Sequence, residues 1–151
     1  MNGAQGGNWA AMLPPATDAE PTPEMIEAMT AGLMDEYHAQ AVYQAVIDEF
    51  GAVRPFTNIL RAEAQHVAAW AFLFERYGLD APAAPEAVAV PEFASVAEAC
   101  AAGAAAEVAN FDLYDAMLDT FADYPDIIQA VTALRNASEF NHLPAFENCA
   151  G

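Results

Sequence analysis

Apolar residues recur along this chain at helical spacing in four long stretches, separated by Gly- and Pro-bearing breaks. The first stretch runs to about Phe50, with Met25, Met29, Leu33, Tyr37, Val42, Tyr43, Val46, Ile47 and Phe50 forming a stripe broad enough for a bundle. Thr22 before Pro23 supplies its start, and Gly51 its end. A second helix is predicted from about Pro55 to Tyr77, with Ile59, Leu60, His66, Val67, Trp70, Leu73 and Phe74 inward and Gly78 as its cap. Ser95, with Glu98 in the capping-box position, starts a third helix that reaches about Ala122. After the turn Asp123 to Asp126, a fourth helix extends from about Pro125 to Asn148, with Pro144 expected to kink it just beyond His142.

Between the second and third helices, Pro82, Pro85 and Pro91 keep the segment from Leu79 to about Phe93 largely extended. At about 3.3 Å per residue such a segment reaches roughly 45 Å, longer than the helix before it, so it can cross the bundle end to end. The predicted architecture is therefore all-α: an antiparallel four-helix bundle of residues 24–149 with a long crossover between helices two and three. Residues 1–23, rich in Gly, Asn, Ala and Pro and without a sustained apolar period, read as a flexible leader. No signal peptide is visible, since Trp9 to Leu13 is too short for a hydrophobic region and has no basic flank, which leaves open one already cleaved ahead of Met1.

Composition changes this picture mainly through charge. The chain of 151 residues is 56% hydrophobic, enough for one well-filled domain. Its 22 acidic residues against 4 basic ones give a formal charge of -18. That balance argues against nucleic acid and anionic membrane surfaces and favours cations as partners, although much of it can be a solvating coat. The Ala-rich run from Ala94 to Ala109 is interrupted by Glu98 and Glu107 and is no membrane span.

The chemistry is concentrated in a repeated motif. Glu63 and His66 stand three residues apart, on one face of a helix, and Glu139 and His142 repeat the arrangement. Each copy follows a helix carrying a Glu with a Tyr seven residues later: Glu36 with Tyr43, Glu107 with Tyr114. In an antiparallel pair, residues equally far from the turn lie at equal height. The midpoint between Glu36 and the Glu63/His66 pair falls near Gly51, and that between Glu107 and the Glu139/His142 pair near Asp123, where turns are predicted independently. One Glu-x-x-His on a helix means little, because surface helices are full of Glu. Two copies, each level with a Glu on the preceding helix, make the ligand set of ferritin-like di-iron and di-manganese carboxylate bundles. Tyr43 and Tyr114 are either core aromatics or donors to the ligating carboxylates. His38 and Trp70 read as ordinary surface and core residues.

These residues resemble the ferritin-like superfamily, and within it the family called domain of unknown function 2202, through Ala41-Val42-Tyr43, Phe56 to Ile59, Glu63 with His66, and Asn141 to Phe146. The likeness spans about Met25 to Phe146. Similarity to bacterioferritin-like sites implies Glu36, Glu63, His66, Glu107, Glu139 and His142 as ligands to two Fe ions, with Mn as a substitute, and Glu63 and Glu139 as the bridging pair. It also gives Tyr43 and Tyr114 roles in the chemistry. The chain has no Cys-x-x-Cys module and carries Gly103 and Ala104 where rubrerythrin-like proteins have a further carboxylate, so a rubrerythrin-type peroxidase is disfavoured. Carboxylate oxygens with two imidazoles suit Fe or Mn better than Cu(I) or structural Zn.

Three functions follow from that set: a ferroxidase or oxidase using O2 or peroxide, a non-catalytic protein that sequesters iron or manganese, or a purely structural acidic bundle. A homodimer is compatible with each. Without metal, the clustered carboxylates should take up protons. The two cysteines, Cys100 and Cys149, lie toward the same end of the bundle at similar distances from Glu107 and His142. They are therefore expected to meet in a disulfide, which would favour an extracytoplasmic setting; otherwise they are small buried thiols of a cytoplasmic protein.

Overall fold

A computed structural model of the chain describes residues 9–151. The long helices are α1 (Pro23–Phe50), α2 (Phe56–Arg76), α3 (Val96–Met117), α4 (Pro125–Ala137) and α5 (Leu143–Ala150). A π turn, Ser138–His142, joins α4 to α5, so that these three together form the fourth helix of the bundle. The fold is a ferritin-like four-helix bundle in which α1 packs along α2, α3 packs along the fourth helix, and a long crossover connects the two hairpins. Among the described residues no helix is long and apolar enough to cross a membrane.

The helix ends are those the side chains dictate. Thr22 accepts a hydrogen bond from the Met25 amide, and Ser95 accepts one from the Glu98 amide. Gly78, at φ 68°, closes α2 by donating to the Glu75 carbonyl while Leu79 donates to that of Phe74, a backbone turn that favours glycine. The third helix tightens into a 3-10 turn over Leu118–Phe121, where one uniform helix was expected.

Pro144 does not break the fourth helix. Proline lacks the amide that would close the preceding α-turn. The widened turn just before it, in which Leu143 donates to the Ser138 carbonyl, carries the helical path past that gap.

Two apolar clusters fill the bundle on either side of a polar middle layer. One, around Met29, Trp70, Leu73, Phe121 and Ile127, occupies one end; the other, around Tyr43, Phe56, Cys100 and Phe146, the opposite end. Fully burying each large side chain contributes about 1.5–3 kcal/mol, so the two clusters carry the fold and the middle layer is free to be polar.

The first end is pinned by Asp126, fully buried, which accepts hydrogen bonds from Arg76 and from the Tyr77 hydroxyl. Residues ahead of α1 lie against this end: the Trp9 ring meets Phe72 at 5.4 Å, the Thr17 amide donates to the Tyr77 hydroxyl, and Tyr124 donates to the Glu20 carbonyl. At the other end Cys100 and Cys149 form a disulfide with Cα atoms 5.8 Å apart, tying α3 to α5.

Candidate metal centre

Close approach of the helices is what lets short carboxylates converge, and two glycines on α1 and α3 permit it. A Cβ on Gly32 would lie 2.3 Å from the Trp70 ring, and one on Gly103 would lie 2.8 Å from the Phe146 ring. The same interval in sequence separates Gly32 from Gly103, Glu36 from Glu107 and Tyr43 from Tyr114. A second common interval separates Glu63 from Glu139, His66 from His142 and Trp70 from Phe146. Each half of the bundle therefore repeats one device: a glycine receives an aromatic ring from the neighbouring helix, one turn away from the ligand candidates.

Five of the six carboxylates and histidines singled out in the sequence meet in the middle layer. Glu36, Glu63 and His66 form one group and Glu63, Glu107 and His142 another, the potential ligand atoms within each lying within 4.8 Å of one another. Glu63 belongs to both, which is the position of a bridging carboxylate. His66 Nδ1 is 3.1 Å from Glu63 Oε2 and 3.5 Å from Glu36 Oε2. His142 Nδ1 is 3.3 Å from Glu63 Oε1 and 3.4 Å from Glu107 Oε1. The two imidazoles stack at 5.4 Å between centroids. The arrangement is a ligand set for two metal ions.

Glu139, expected to bridge beside Glu63, stands elsewhere. Its side chain is 28% exposed and pairs with Arg135 at 2.9 Å, against 2% exposure for Glu63. Arg135 is itself held by Asp115 and lies over the Phe111 ring at 5.2 Å. The π turn supplies the physical reason. It rotates the chain by less per residue than an α-turn, so residues three apart no longer share a face, and with His142 inward Glu139 is carried toward the surface.

The tyrosines cross over between the halves. Tyr43 of α1 donates to Glu107 of α3 at 2.9 Å, and Tyr114 of α3 donates to Glu36 of α1. Trp70, unremarkable in the sequence, donates its indole N–H to the Tyr114 oxygen at 3.0 Å. Asn110 escaped the sequence reading altogether. It donates to Asp35 at 2.6 Å and approaches Glu36, while its carbonyl accepts from Ser138 at 2.6 Å. Its signal was available, since Asn110 follows Glu107 by the same three residues that separate each Glu from its His. His38 is exposed, as its place on α1 suggests.

Electrostatics show what this cluster does without a metal. Burial, then the charge of Glu63, pushes the Glu36 carboxyl up to about 7. Burial would also raise Glu63, but its contacts with Glu36, His142 and His66 outweigh that and hold it below the ordinary value. Burial alone would lower both imidazoles; the facing carboxylates instead raise His66 to about 10 and His142 to about 9. The expected uptake of protons thus falls on Glu36 and the two histidines, while Glu63 moves the other way. Burial and neighbouring carboxylates raise both tyrosines well above the usual range, which keeps their hydroxyls as donors.

Closeness has produced ion-pair contacts without directed hydrogen bonds. Glu63 Oε2, His66 Nδ1 and His142 Nδ1 are buried with no hydrogen-bond partner, and each such atom costs about 1–3 kcal/mol when left unsatisfied. All three belong to the two ligand groups, and a cation between them would satisfy each. The residues therefore fit a pair of divalent ions.

Compared with protein-family models, curated proteins and solved structures, the chain matches none. The bundle, its crossover and the paired Glu/Glu/His groups make it ferritin-like in fold and in site.

Proposed function

We propose that this protein is a di-iron oxidoreductase of ferroxidase or oxidase type, with Glu36, Glu63, His66, Glu107 and His142 as ligands and Mn as an alternative occupant. The observation that carries the proposal is the set of three unpartnered buried atoms on Glu63, His66 and His142, placed between two Glu/Glu/His groups that share Glu63. A purely structural polar core would have directed hydrogen bonds between these atoms, where this cluster has only the ion-pair contacts described above. Two bound iron ions would supply one-electron steps toward O2 or peroxide. The chain's own residues hold and tune: Tyr43 and Tyr114 fix the orientation of Glu107 and Glu36 by hydrogen bonding, and Asn110 with Ser138 steadies the Glu36 side. Glu139 is kept outside the ligand set by Arg135.

On this reading metal uptake expels protons from Glu36 and both histidines. We further propose, on the motifs quoted above alone, a kinship with the domain of unknown function 2202 family, whose model the chain does not match. The Cys100–Cys149 bond supports an oxidising, extracytoplasmic setting. The test is metal analysis of the purified protein followed by anaerobic loading with Fe(II) and admission of air. Two ions per chain and rapid oxidation of bound iron are expected. Two ions without oxidation would favour sequestration, and no bound metal would remove the proposal.

A further inference from the structure

A cavity of ≈ 290 Å³ opens between α1 and α3 and reaches the ligand layer. Its walls are the short side chains of Ala39, Ala102 and Ala106 with Val42, and Phe93 from the crossover roofs it. Its floor is Tyr43, Glu63 and Glu107, and Glu63 carries one of the oxygens left without a partner. Asp35 and His38 stand at the rim, where Asn110 ties Asp35 back to the bundle. A larger groove of ≈ 560 Å³, bordered by Tyr37, Arg61 and the crossover residues Ala84, Pro85 and Val88, touches none of the five clustered side chains.

We infer that the α1–α3 cavity binds a small uncharged organic molecule, a ring or short branched chain bearing one hydroxyl, and that this hydroxyl donates to the carboxylate oxygens of Glu63 and Glu107 beside Tyr43. A route for cations alone would need neither this volume nor walls of alanine, valine and phenylalanine, which an ion gains nothing by touching. A cavity of about 150 Å³ already admits benzene, so this one has room for a ring and a short substituent. Carboxylates on the floor and Asp35 at the rim repel anions, and once Glu63 and Glu107 hold a metal the apolar walls leave a cationic guest without a counter-charge. The chemical meaning of the cavity rests on the metal-centre reading above, since it sets the guest beside the ligands; the binding does not.

The experiment titrates benzyl alcohol, benzoate and benzylamine into the full chain, metal-free and loaded with Mn(II), following the probes by saturation-transfer NMR and measuring metal content on the same samples. Saturable one-to-one binding of benzyl alcohol is expected, with benzoate weaker by at least about ten-fold in both forms and benzylamine weaker by a similar factor in the Mn(II)-loaded protein. Ala106→Phe, at an exposed wall position, should weaken the alcohol by a similar factor, Ala102→Leu should act in the same direction, and Ala105→Phe on the outer surface should not. Absence of saturable binding, preference for benzoate in either form or for benzylamine in the Mn(II)-loaded protein, or indifference to both wall variants overturns the inference. A sample that holds two ions and refuses the alcohol sinks the cavity alone; one that takes the alcohol and no metal sinks the metal centre alone.

Discussion

The two halves of the bundle, α1–α2 and α3 with the fourth helix, repeat the same residues and put them to different use. In the first half Glu63 and His66 sit in an uninterrupted α-helix and both point inward, whereas in the second the π turn keeps His142 inward and gives Glu139 to Arg135. In the first half Gly32 receives Trp70, whose N–H reaches the tyrosine of the other half; in the second Gly103 receives Phe146, which has no such group. Beyond the rings, the positions of Cys100 and Cys149 correspond to Met29 and Leu73 of the first half, where two buried apolar side chains replace the bond. The repeat sets height and spacing; local helix geometry decides which carboxylate enters the site.

The comparison breaks most visibly at the disulfide, which constrains only the second half. Cys100→Ser with Cys149→Ser should lower stability by about 2–4 kcal/mol in denaturant melts, and hydrogen exchange should report the loosening first in α5. Uniform loosening of all four helices would show instead that the halves are not separable.

The carboxylates come next. Metal at about 100 times its dissociation constant stabilises the fold by about 2.7 kcal/mol. Glu63→Ala should abolish the metal-induced rise in Tm because both groups share that side chain, while Glu139→Ala should keep it. Equal losses would place Glu139 among the ligands despite its ion pair.

Gly32→Ala and Gly103→Ala sharpen the comparison at the ring contacts. Each crowds an aromatic ring and should cost about 1–3 kcal/mol, with Gly32→Ala the worse because its added Cβ would come closer to its ring. Thermal melts of the two variants in the metal-free protein measure the difference.

The smallest expected effect separates the tyrosines. Tyr114→Phe leaves the Trp70 N–H without its acceptor and should cost roughly 1 kcal/mol more than Tyr43→Phe. Both variants should retain the metal stoichiometry of the parent, as read by elemental analysis, and change the rate of iron oxidation.

Much of this was legible because it depends on period and on distance from a turn. Glu36, Glu63, His66, Glu107 and His142 were level with one another on paper, and the crossover announced itself through three prolines. The outward turn of Glu139 was not legible, because the motif assumes an α-turn and nothing in Ser138 to His142 by itself announces a π turn. Pro144 marked an interruption just beyond His142, but that the chain meets it by widening the preceding turn was not legible. Asn110 was overlooked because a neutral amide in a helix is ordinarily solvated; only the packed structure shows its bonds to Asp35 and Ser138. Asp126 passed for a turn residue, since its partners Arg76 and Tyr77 lie far away in sequence.

That buried carboxylate also bears on alternatives the bundle must reject. Helices with alanine-rich faces can slide past one another at little cost in apolar contact, and a slip of one turn, about 5.4 Å, would still bury most of the same surface. It would also tear Asp126 from Arg76 and Tyr77, and removing the partner of a buried charge costs about 3–5 kcal/mol. A second polar anchor, the crossed Tyr–Glu pairs, would lose its alignment in the same movement. Two such anchors at different heights act as dowels: apolar packing makes the bundle stable, and these fix the one vertical registration in which Glu63 faces both histidines.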